Sequence, residues 1–188
     1  MDDFSMDGLV PERPVKRVPR TIAFLDLCGF TAYTERYGDE AAYDVVTGFR
    51  AAVRRVAAER GIRIAKWLGD GVMLVGVEAE ELVEAVVDVE LIVDLAGSEL
   101  PIRAGIARGD VMVIDGDDII GRPAILAARL CDLAAEHQVL AEEGTIEPIM
   151  ANVGLEPLGE VAVRSFVAPI RVVCLVAPEG HGRRSGGS

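Results

Sequence analysis

Apolar residues in this chain fall into short continuous runs separated by amphipathic stretches, an alternation that predicts strands and helices in turn. The run TIAFLDL at 21–27 has the composition of a buried strand. Over 39–60, Val45, Val46, Phe49, Val53 and Val56 recur at helical spacing while Arg50, Arg54 and Arg55 fall elsewhere, which predicts an amphipathic helix. Residues 62–67 and 71–77 read as two strands joined by the turn Leu68-Gly69-Asp70-Gly71. A second helix, acidic on its outer face, is expected over 79–96, and a strand interrupted near Gly109 over 102–114. A third helix over 120–135 would carry Leu126, Leu130 and Leu133 as its core stripe. Beyond it come a short strand at 138–140, a short helix at 142–150 and a strand pair at 155–163 and 165–176. Hairpins alternating with helices predict an α/β (α+β) sandwich, a ferredoxin-like palm with a mostly antiparallel sheet and helices packed on it.

Composition narrows the partners. The 188 residues suit one domain with its own core, and 51% apolar content excludes a disordered chain. A net charge of −12 argues against nucleic acid or an anionic membrane as a partner, since both are polyanions. The three cysteines, Cys28, Cys131 and Cys174, form no CxxC pair, so neither a disulfide framework nor a zinc site is expected. The N-terminal residues lack the apolar segment of a signal peptide, and no apolar run approaches the roughly 20 residues that span a bilayer. A cytoplasmic protein is expected, with a flexible arm over 1–19, one domain over 20–176 and a disordered tail over 177–188 that is rich in Gly, Ser and Arg.

Two aspartates carry the first chemical signals. Asp26 interrupts an apolar strand, where a carboxylate is costly unless paired or bound to a metal. Gly29 and a helix start follow at once, a layout that presents backbone N–H groups to a phosphate; a helix cap by Asp26 is the alternative. Asp70 sits in the expected hairpin turn, where Asp-Gly is also simply a common turn dipeptide. If the strand at 21–27 lies beside that hairpin, Asp26 and Asp70 converge, and two carboxylates there suit Mg²⁺. His137 and His181 show no catalytic pairing, and the acidic run Asp115, Asp117 and Asp118 lacks the further ligands of a calcium loop.

Three segments together resemble one family. Phe24-Leu25-Asp26-Leu27-Cys28-Gly29-Phe30-Thr31 is similar to the metal-binding segment of class III adenylate and guanylate cyclases, and Lys66-Trp67-Leu68-Gly69-Asp70-Gly71 to their second metal segment. Residues 118–129, DIIGRPAILAAR, resemble their third motif. The resemblance covers about 20–176. It implies that Asp26, Asp70 and the Leu27 backbone hold two divalent metals, Mg²⁺ or Mn²⁺, while Phe30 and Thr31 cradle the triphosphate. It implies that Lys66 and Asp118 read the purine edge, that Arg129 stabilises transition-state charge on the α-phosphate, and that Arg164 meets the terminal phosphates. An exposed strand arginine is the other reading of Arg164.

A Lys and Asp pair fits adenine, because lysine donates to N1 and aspartate accepts from the N6 amino group, so ATP is the expected substrate. The family's sites lie between two subunits, which implies a homodimer. One departure stands out: Ile125 occupies the place of an asparagine that orients the ribose in the family. Either Ile125 only packs in a contact, or the enzyme is weakened on the order of 10²-fold. The resulting expectation is an adenylate cyclase making 3′,5′-cyclic AMP and pyrophosphate. A non-catalytic homology module that acts by dimerising is the alternative. A diguanylate cyclase fits poorly, because its GG(D/E)EF turn is absent.

Overall fold

A computed structural model describes residues 16–114, 118–146 and 152–176. Its elements run β1 (Arg17–Leu27), α1 (Phe30–Arg60), β2 (Arg63–Leu68), β3 (Gly71–Gly76), α2 (Ala79–Leu95), β4 (Ile102–Ile114), β5 (Asp118–Ile120), α3 (Arg122–Leu133), β6 (Val139–Glu142), β7 (Gly154–Val161) and β8 (Ile170–Val176). The strands form one sheet in the order β2-β3-β1-β4-β6-β8-β7, with β5 paired to β4. The first four strands and two helices make the βαββαβ arrangement of a ferredoxin-like palm, as expected. Every described pairing is antiparallel except that of β4 with β6.

Side chains alternate across each strand, and this period of two separates the sheet into two working faces. Ala23, Leu25, Leu27, Val72, Leu74, Ile102, Ala104 and Ile106 join the buried residues of α1 and α2 in one core. Ile22, Met73, Val75, Ala107 and Val111 turn the other way and pack with Leu126, Ala127 and Leu130 of α3. Leu126 and Leu130 are fully buried, each worth about 1.5–3 kcal/mol relative to exposure.

The close seat of α3 depends on Gly105. A Cβ there would lie 2.2 Å from both the Ala127 carbonyl oxygen and the Cys131 nitrogen. Backbone meets backbone at this point, and no side chain can yield. Pro123, in the first turn, suits a helix start because its missing N–H has no partner to lose there.

Several expectations shift. β1 begins at Arg17, inside the arm expected over 1–19; residues 1–15 and 177–188, the rest of the expected arm and tail, lie outside the described residues. Helix α1 starts at Phe30, directly after Gly29 as the layout there suggests, and breaks at Gly38 (φ 86°, ψ 171°), so the amphipathic helix expected over 39–60 is its second segment. β4 runs through Gly109 without interruption; Gly109 pairs with Arg20, and the bare Cα makes room for the Pro123 ring. Ile120 closes β5 (Asp118–Ile120) rather than opening α3, which begins at Arg122. Leu133 is exposed; Pro123, Ala127 and Cys131 complete the buried stripe with Leu126 and Leu130. The helix expected at 142–150 is, as far as it is described, a turn: Thr145 N–H donates to the Glu142 carbonyl, and Gly144 has φ 83°. Residues 147–150 lie outside the described residues. The last strand pair closes earlier and opens later than expected, with residues 162–169 in the connection.

Gly105→Ala is expected to lose at least about 3 kcal/mol of stability, because a methyl group has no room between β4 and α3. Urea unfolding of the variant beside the unchanged protein measures it.

Candidate active site

Asp26 lies near the C-terminal end of β1, opposite Gly71 on one side and Arg103 on the other. Its position in the alternation puts it on the α3 face with Phe24, while Leu25 and Leu27 point into the α1 and α2 core. The carboxylate accepts from Arg103 Nε at 3.2 Å and from a terminal nitrogen of the same guanidinium at 2.8 Å. That contact removes the helix-cap reading of Asp26: the residue capping α1 is Gly29, with φ 74° and no side-chain hydrogen bond.

Asp70 comes alongside because of the hairpin. Leu68 pairs with Gly71, leaving Gly69 and Asp70 as the two loop residues. Gly69 has φ 71°, which glycine reaches without strain, and a glycine at the first loop position marks a II′ turn. The turn is therefore Gly-Asp rather than Asp-Gly. Burial pushes the Asp70 carboxyl above its usual range and the charge of Asp26 adds to this, against the pull of its own backbone N–H and of Arg103. Gly71 completes the cradle, since a Cβ there would sit 3.3 Å from Asp26 Oδ1 and 2.9 Å from the Leu25 carbonyl.

A carboxyl raised by burial and by the charge of a neighbouring carboxylate fits a divalent cation. Among the described residues no group of three or more His, Cys, Asp or Glu could hold a metal. A pair of carboxylates is what Mg²⁺ uses when substrate phosphates complete its shell, so the donor set fits that chemistry. The cysteines add nothing to it. None of the three is joined in a disulfide, and burial pushes the Cys131 thiol up to about 12, so it stays neutral.

Phe30 and Thr31 open α1 directly after Gly29, with Thr31 exposed. The first N–H groups of a helix have no partner within it, and they carry the positive end of its dipole.

A second cluster forms across the same sheet face. Lys66, opposite Met73 on β2, donates to Asp118 Oδ1 on β5 at 2.6 Å, although 52 residues separate them. Asp118 also accepts from the Ile119 N–H at 3.0 Å. The Lys66 hydrogen bond, more than any other influence, holds the Asp118 carboxyl below the usual carboxylate range. Both side chains remain about half exposed, so their outward edges are open to a planar ligand.

Arg129 lies on α3, and one of its terminal nitrogens contacts Asp132 Oδ2 at 3.0 Å; its Nε is buried without a partner. The backbone carbonyl of Asp132 accepts from Arg103. Asp132 thus links the arginine of α3 to the one beside Asp26. Ile125, one turn before Arg129, is 51% exposed. Arg164 is exposed in the connection after β7, and no hydrogen bond or ion pair among the described residues ties it to either cluster.

No protein-family model matches the chain. An uncharacterised protein of Mycobacterium tuberculosis is 38% identical over 152 residues, covering 79% of this chain and 39% of that protein. An adenylate cyclase of Streptomyces coelicolor is 33% identical over 131 residues, covering 69% of this chain and 34% of that enzyme. The adenylyl cyclase CyaB from P. aeruginosa superposes with a TM-score of 0.75 at 25% identity, covering 93% of this chain and all (100%) of that structure. The chain belongs to the class III nucleotide cyclase catalytic domains. It spans about two fifths of the length of the first curated relatives it matches, 39%.

The cyclase domain thus brings together Asp26 with Asp70, and Lys66 with Asp118. Arg103 was not among the expected site residues, and its sequence signal is faint: an arginine alternating with apolar residues in a strand. Its role shows only once β4 is known to pair with β1. Among the described residues of the domain, no helix is long and apolar enough to cross a membrane.

In Lys66→Met, the Asp118 carboxyl is expected to titrate at higher pH than in the unchanged protein, because the donor that favours its charged form is gone. Carboxyl-detected NMR of both proteins reads the shift directly.

Proposed function

We propose that two copies of this domain form a homodimer that converts ATP to 3′,5′-cyclic AMP and pyrophosphate. The observation that carries this reading is the Lys66–Asp118 pair at 2.6 Å. It presents a donor beside an acceptor, matching adenine N1 and the N6 amino group, whereas guanine presents a donor at N1. The relatives named adenylate cyclase support the same substrate.

Asp26, Asp70 and the Leu27 carbonyl would hold two divalent cations, Mg²⁺ or Mn²⁺, which when bound supply Lewis-acid activation of the ribose 3′-hydroxyl and neutralise phosphate charge. Arg103 holds Asp26 in place until that charge is shared. The N–H groups at Phe30 and Thr31 bind the triphosphate at the positive end of α1. Lys66 and Asp118 of the second subunit fix the adenine. Arg129 of that subunit stabilises charge on the α-phosphate as the 3′-oxygen bonds to it and the bond to the β-phosphate oxygen breaks. Pyrophosphate leaves toward Arg164, and the hydroxyl proton passes to water.

Exposed apolar residues support dimerisation through this face. Val113, Ile114, Ile120 and Ile125 are 44%, 36%, 47% and 51% exposed on β4, β5 and α3, beside the proposed substrate residues. Such patches mark contact surfaces. Ile125 has no hydrogen-bonding group for a ribose, so the reading predicts a slow enzyme. It also keeps open a dimerising module without turnover.

Asp26→Ala and Arg129→Ala are each expected to lose at least about 10²-fold in cyclic AMP formation. Mixed one to one, they should recover about a quarter of the original rate, because half the dimers then carry one intact site of two. No recovery in a mixture shown to exchange subunits contradicts the shared site. Ile125→Asn should raise turnover roughly tenfold or more; an unchanged rate means that Ile125 limits nothing.

A further inference from the structure

Behind the metal-side hairpin, on the α1 side of the sheet, Arg50 reaches across 19 residues of sequence to donate to the Gly69 carbonyl at 2.8 Å. Its guanidinium carbon also lies 5.0 Å from the centre of the Trp67 ring, and that of Arg54 lies 5.2 Å from it. Trp67 follows Lys66 on β2, so it faces away from the substrate side and packs against the α1 and α2 core. Arg50 Nε is buried with no partner among the described residues, where its stack and this hydrogen bond hold the guanidinium.

The carbonyl of Gly69 and the N–H of Asp70 belong to one rigid peptide plane. Fixing the oxygen fixes the N–H, and that N–H turns onto the Asp70 carboxylate. Gly69 takes a positive φ and has no side chain to anchor the turn. A two-residue loop with a glycine is otherwise free to rock, and with it the carboxylate. A planar guanidinium can stack on an indole and donate sideways in a charge-assisted bond, which a lysine cannot do together.

We infer that Arg50 is a positioning residue of the site: from the far side of the sheet it locks the Gly69–Asp70 peptide, and so sets the Asp70 carboxylate for a divalent cation. This rests on the reading of Asp70 as a metal-binding residue. Arg54 stacks on the same ring with no hydrogen bond to the turn among the described residues, and serves as the internal control.

The test is Mn²⁺ binding to the folded protein without nucleotide, read by electron paramagnetic resonance. Trp67, the single tryptophan, supplies a fluorescence check on the hairpin. Arg50→Met is expected to weaken Mn²⁺ about tenfold and to raise the metal concentration for half-maximal activity by a similar factor, with activity at saturating metal largely recovered. Arg50→Lys should fall between, and Arg54→Met should bind as the unchanged protein does. Circular dichroism confirms folding; if Arg50→Met fails to fold, Arg50→Lys against Arg54→Met carries the comparison. Binding that depends on Asp70 but is unmoved by Arg50 substitution overturns the inference and leaves the proposed activity standing. Equal weakening by Arg54→Met also overturns it, since ring stacking alone would then account for the effect. Absence of any Asp70-dependent binding removes the metal reading and this inference with it.

Discussion

A carboxylate at the end of a central strand governs the arrangement of this domain. Asp26 must be paired where it stands, and the two strands flanking β1 supply what it needs. From β4 comes the Arg103 guanidinium; from β3 comes Gly71, whose missing side chain leaves room for the carboxylate. The same registers bring the Gly69-Asp70 turn alongside. A cluster of like charge results, held together by one arginine and suited to a cation.

The two faces of the sheet divide the labour. On one, α1 and α2 bury an apolar core and take no part in the proposed chemistry except through helix ends and the reach of Arg50. On the other, α3 seats against Gly105 and leaves Asp26, Lys66 and the β5 arm uncovered. The uncovered face carries both clusters of the proposed substrate site and the exposed isoleucines beside them. In the proposed reading, each site takes one cluster from each of two copies, which is why a second copy belongs in the account.

Much of this was legible in the residues. The apolar runs gave the palm because period-two and period-3.6 patterns are strong in β1, β3 and the second segment of α1. Asp26 stood out because a carboxylate in an apolar strand needs a reason, and Asp70 because the hairpin was expected to bring it beside Asp26. Lys66 and Asp118 were matched by resemblance, and their contact follows from the β5 pairing, which no local pattern announces. The first segment of α1 was read only from the helix start expected after Gly29, because Tyr33 alone of its residues is buried and it shows no apolar stripe. The helix expected at 142–150 failed over its described part because Gly144 turns the chain there. Arg103 and Arg50 were invisible as site residues because their partners are distant in sequence: a strand neighbour for one, a loop carbonyl for the other.

Whether the assembled face performs chemistry is decided most directly by product identity. Purified protein, shown to be a folded dimer, is incubated with ATP or GTP and with Mg²⁺ or Mn²⁺, and the cyclic nucleotides are quantified by mass. The account predicts 3′,5′-cyclic AMP and pyrophosphate from ATP, with far less product from GTP. Preferential formation of cyclic GMP would contradict the adenine reading of Lys66 and Asp118, and no product under any of these conditions would contradict catalysis itself.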